Sequence, residues 1–149
     1  MTMRHVATAL AMLATLVPGI CPAPASAAPA HIPAGSFRSV LPLVEGVDDV
    51  AIGEFLLART PVTNREFLAF VVRHPDWRRS EAVSLFVDEN YLAHWQGALA
   101  FDAAEANRPV TNVSWFAARA YCEAQGGRLP TWHEWEYVAA ANEAERDAR

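Results

Sequence analysis

The sequence predicts an α+β domain low in regular structure. Two short stretches with strand character precede three amphipathic segments, two of which open on a T-x-x-E helix start, at Thr63 and Thr131. No internal repeat of useful length is present in the 149 residues.

The chain opens on a segment of a different kind. Residues 1–5 carry a positive charge, residues 6–20 are apolar, and Ala25–Ser26–Ala27 is an A-x-A site. That order is a secretory signal peptide over residues 1–27, too short and too poorly flanked for a membrane anchor. Cleavage after Ala27 leaves residues 28–149, enough chain for a modest core, and sends them to a secreted or periplasmic location with no membrane attachment. The whole chain has 12 basic and 17 acidic residues, and removing Arg4 with the leader leaves 11 basic. A mildly acidic chain of this kind excludes general nucleic-acid binding. Every basic residue among the Lys and Arg is Arg, which reflects base composition rather than mechanism.

Along the mature chain, residues 28–33 read as a linker by composition. "GSFRSVLPLV" and "VAIGEFLLARTPVT" read as short strands: Val50 and Ile52 alternate, as do Phe55 and Leu57 after a break at Gly53–Glu54. A glycine there marks a bulge that changes the face its side chains take. In "TNREFLAFVVRHP", Thr63 and Glu66 form a capping box, Phe67, Phe70 and Val71 share one face, and His74–Pro75 ends the helix. "RSEAVSLFV" reads as a short helix, "NYLAHWQG" as a loop pinned by Tyr91 and Trp95, and "DAAEAN" as exposed. Ser114 caps a further helix, with Trp115, Ala118 and Cys122 on one face and Gly126–Gly127 at its end. Thr131 and Glu134 open the last helix, which carries Trp132, Trp135 and Ala139 on one side.

The candidate sites resolve mostly into structure. With Cys21 in the leader, Cys122 is the one cysteine of the mature chain, so no internal disulfide can form there. It reads either as a redox thiol or metal ligand, or as a small apolar residue packed beside Trp115; free cysteine is among the most buried residue types, which favours packing. A link to another chain, or to a cysteine outside this sequence, also fits an odd cysteine in an exported protein. "HEWE" (His133–Glu136) fails the H-E-x-x-H zinc spacing, and Glu134 is explained as a capping residue. His31, His74 and His94 are scattered. The five tryptophans could line a binding surface, but their places on helix faces favour a core. Asn112–Val113–Ser114 fits a glycosylation sequon and is equally explained as a helix entry. The residues by themselves thus give an exported, acidic α+β scaffold without a catalytic constellation.

"HIPAGSF", "PVTNREFLAF" and above all "RPVTNVSWFAARAYCEAQGGRLPTWHEWEYVAAA" (residues 108–141) resemble the sulfatase-modifying factor family, the formylglycine-generating enzymes. The resemblance implies a compact α+β fold related to C-type lectins. For a full-length member it also implies structural calcium and a copper(I) ion held by two cysteine thiolates, a soft site suited to that ion. Such enzymes use oxygen to convert a sulfatase cysteine to formylglycine. Relatives use non-haem iron or act as maturation factors for other exported enzymes.

The resemblance spans residues 31–141 but reaches only the N-terminal half of the family domain, so the fold is expected to be incomplete at its C-terminus. The copper-binding cysteines lie beyond the R-L-P-T block in the family pattern, and Cys122 matches neither. No catalytic, cofactor-binding or metal residue is therefore carried over to this chain. The expected function is that of an exported formylglycine-generating oxidase, inactive as this segment. The alternatives are a non-catalytic maturation factor for a periplasmic enzyme, or a lectin-like binding module. The expected partner is a sulfatase or another exported client polypeptide. A further expectation follows: with half a domain missing, Trp115, Trp132 and Trp135 sit on helix faces that lack partners.

Overall fold

The structure is a computed structural model and describes residues 28–40 and 49–147. The predicted leader, with Cys21, lies outside the described residues, as does the end of the first predicted strand region.

Four short strands come first: β1 (Ala30–Ile32), β2 (Gly35–Arg38), β3 (Asp49–Ile52) and β4 (Phe55–Leu57). They form two antiparallel pairs, β1 with β4 (Ala30 opposite Leu57) and β2 with β3 (Gly35 opposite Ile52). The two pairs continue one another as a single hairpin broken on both sides, at Pro33–Ala34 and at Gly53–Glu54. Proline cannot donate to a ladder, so a break at Pro33 is where the pairing can lapse. Past the break the inward positions change parity, from Val50 and Ile52 to Phe55 and Leu57, but the bulge expected at Gly53 is absent: two residues on one side, Pro33–Ala34, face two on the other, Gly53–Glu54, and the register is the same before and after. Residues 28–33 are not a linker throughout. Their β1 portion is fixed by a strand far along the chain, a non-local pairing that composition cannot reveal.

Helix α1 (Asn64–Arg73) begins on the predicted capping box. The Thr63 hydroxyl accepts from Glu66 N–H, and the Glu66 carboxylate accepts from Thr63 N–H at 2.8 Å. The next orphan donors of this helix end, Asn64 and Arg65 N–H, reach the carbonyls of Arg108 and Ala106, both at 3.0 Å. Phe67, Phe70 and Val71 are buried, with Tyr91, Leu92, Trp95 and Ala117, in one core cluster. Residues 79–87 make turns rather than the predicted helix, because Val83 and Leu85 point outward and no apolar stripe forms. The segment from Tyr91 to Trp95 is the pinned loop expected from sequence. The Tyr91 hydroxyl donates to Trp77 C=O at 2.8 Å, and Leu92, at φ 49°, donates its N–H to Asn112 C=O at 2.8 Å. Within "DAAEAN", Ala103–Glu105 forms one 3₁₀ turn and Ala106 is buried rather than exposed.

Helix α2 (Trp115–Ala124) is capped by Ser114 Oγ, which accepts from Ala117 N–H at 3.1 Å. It ends at Gly126, φ 77°, with Gly126 and Gly127 N–H bonded back to Glu123 and Cys122 C=O. That pattern is a Schellman motif, and the left-handed residue it requires is a glycine. Helix α3 (Trp132–Asp147) packs His133 and Tyr137 against Phe37 of β2, and Tyr137 lies directly over Gly35. A Cβ at position 35 would overlap the Tyr137 hydroxyl, which explains glycine at the start of that strand.

The packed stripes differ from those predicted on both late helices. On α2 the core side is Ala117 and Tyr121, not Trp115, Ala118 and Cys122. On α3 it is His133 and Tyr137, while Trp132 and Trp135 face outward. Of the tryptophans assigned to a core, Trp95 is buried, whereas Trp115, Trp132 and Trp135 are 58, 60 and 65% exposed. The bare apolar surface expected on those helix faces is therefore present.

Candidate functional site

The R-L-P-T-x-x-E-W segment builds the densest polar site. Thr131 N–H donates to Glu134 Oε2 at 2.7 Å, and Glu134 N–H to Thr131 Oγ1 at 3.2 Å, completing the second capping box. The same carboxylate receives both Arg128 Nη1 and Nη2, at 2.7 and 2.6 Å. This fork-on-fork pairing is the strong form of a carboxylate–guanidinium contact. The Arg128 bonds, with help from Thr131, outweigh burial and hold the Glu134 carboxyl at about 2. Two residues on, Glu136 accepts from Val40 N–H at 2.6 Å and Ser39 Oγ at 2.7 Å, which fastens the chain after β2 to α3 and keeps the carboxyl below its ordinary range.

Two cavities flank this helix start. One, of about 690 Å³, lies between residues 50–53 and 131–134, and His133 lines it. The His133 Nε2 is buried and, among the described residues, has no hydrogen-bond partner. The other, of about 540 Å³, lies between residues 57–62 and Trp135, Val138 and Ala139.

Cys122 sits apart, half-buried, lining an apolar cavity of about 180 Å³ with Val62, Val110, Tyr121 and Leu129. Burial, then the nearby Glu123 carboxylate, pushes its thiol pKa up. A raised pKa leaves little thiolate at neutral pH, the reverse of what a nucleophile or metal ligand needs. Iodoacetamide should therefore label native Cys122 more slowly than the same residue in urea-unfolded chain, at any pH below the raised pKa. Equal rates followed by mass spectrometry would contradict this.

The histidines are dispersed as the sequence suggested. His31 contacts Glu54 at 3.1 Å on the surface, His74 stacks on Phe70 with centroids 4.9 Å apart, and His94 meets Asn64 Oδ1 at 3.1 Å. Among the described residues no three His, Cys, Asp or Glu side chains gather as a metal-binding group. Asn112 of the sequon is exposed, and its role here is conformational: it holds φ 53°, a left-handed angle that asparagine tolerates.

Sequence reasoning missed Asn64, which is 1% exposed. Its Oδ1 accepts from Trp95 Nε1 at 2.9 Å and from His94, and its Nδ2 donates to Glu105 C=O at 3.0 Å and Arg108 C=O at 3.4 Å. The indole N–H is donor-only, so it fixes the amide orientation and requires His94 to carry its proton on Nε2. No local signal marked it: an asparagine at a helix start is common because such residues favour helix ends and turns, and its partners lie far along the chain.

These features define a small α+β scaffold in which capping boxes, a carboxylate–guanidinium fork and a buried amide hold loops in place. The chain belongs to the family of the sulfatase-modifying factor enzyme 1-like domain, whose model matches residues 22–147. It is 35% identical to the formylglycine-generating enzyme of Streptomyces coelicolor over 126 residues, covering 67% of this chain and 40% of that protein. It is 29% identical to the inactive C-alpha-formylglycine-generating enzyme 2 of mouse over 141 residues, covering 73% of this chain and 46% of the relative. A third match, 32% identical, covers 66% of this chain and 16% of the serine/threonine-protein kinase pkn1 of Chlamydia pneumoniae. The chain thus spans less than half the length of these relatives.

Proposed function

We propose that this chain is a non-catalytic member of the formylglycine-generating enzyme family, serving the maturation of an exported client such as a sulfatase. The observation that carries the reading is the use already made of its reactive groups. Glu66 and Glu134 close capping boxes, Glu134 also holds Arg128, Glu136 holds the Ser39–Val40 backbone, and burial keeps the Cys122 thiol protonated. The similarity to the mouse protein named as inactive supports the same side. The oxidase reading draws on the similarity to the Streptomyces coelicolor enzyme. It would take its two copper-binding thiolates from polypeptide other than the described residues, where Cys122 is the free cysteine. Export through residues 1–27, a secreted or periplasmic location and kinship with C-type lectins belong to this proposal. Among the described residues no helix is long and apolar enough to cross a membrane.

The test supplies the exported chain with copper(I), oxygen, a thiol reductant and a cysteine-containing sulfatase peptide. The expected result is peptide binding without formylglycine, on protein whose N-terminal mass begins at Ala28. Formylglycine formed over repeated turnovers would overturn the non-catalytic reading.

A further inference from the structure

We draw no further inference here: the strongest candidate, the cavity of about 690 Å³ between β3 and the start of α3 that His133 lines, has its Thr131 and Glu134 already engaged in the capping box and is otherwise walled by apolar residues and the exposed Trp132, and nothing in the structure shows what covers it.

Discussion

Replacing Asn64 with alanine should lower folding stability by about 3–4 kcal/mol, through lost hydrogen bonds and a small void. The side chain is fully enclosed and joins three segments: α1, the loop at His94–Trp95, and the turn ending at Arg108. Its removal leaves the Trp95 indole N–H buried without an acceptor, and such an orphan costs more than the bond was worth. The Arg108 carbonyl keeps the Asn64 backbone N–H at 3.0 Å, so that contact should survive. Asn64→Asp should be no milder, since a carboxylate oxygen would then face the Glu105 and Arg108 carbonyls in place of the amide N–H. Urea unfolding should show a lower midpoint with an unchanged slope, and amide exchange should quicken over residues 90–108. A loss below about 1 kcal/mol, the size of a single exposed hydrogen bond, would show that the amide is not the hub described.

The contrast between that residue and its neighbour Thr63 explains what the sequence could reveal. The Thr63 and Thr131 boxes close over three residues, so their chemistry is written within one helix turn. Asn64 acts on partners 30 to 44 positions away, and nothing local to "VTN" names them. Periodicity likewise identified a stripe on α3 but not which stripe packs. Trp132 and Trp135 form the more apolar side, yet His133 and Tyr137 meet β2, because Gly35 opens room for the Tyr137 ring. Hydrophobicity alone points the tryptophans inward; the partner surface decides, and that surface is non-local. At the site, the capping role of Glu134 was legible and its Arg128 fork was not. The fork depends on how "RLPT" folds back, bringing residue 128 onto the helix start.

That fork sets the second large effect. Glu134→Gln keeps the size of the side chain and one acceptor for Thr131 N–H, but removes the charge that Arg128 grips. The folded carboxyl is held at about 2 against an ordinary 4.5, so the ionised form is favoured by folding. A depressed folded value means that the stabilisation is complete above the unfolded value, near 4.5, and drains away as pH falls toward 2. The shift alone corresponds to about 3 kcal/mol, and solvent screening of the largely exposed Arg128 brings the expected loss in the variant to about 2 kcal/mol at neutral pH. In a domain of this size that lowers the melting temperature by roughly 6–12 °C. The pH dependence separates charge from shape. Between pH 7 and 5 the gap between parent and variant should be constant; below pH 4.5 it should narrow steadily, and near pH 2 it should largely close. Added salt should reduce the gap only modestly, because the Glu134 side chain is 12% exposed and its two bonds to Arg128 are direct. A gap that persists unchanged down to pH 2 would assign the loss to the amide's poorer fit in the capping box, and would remove the ion pair as the force that holds "RLPT" against α3.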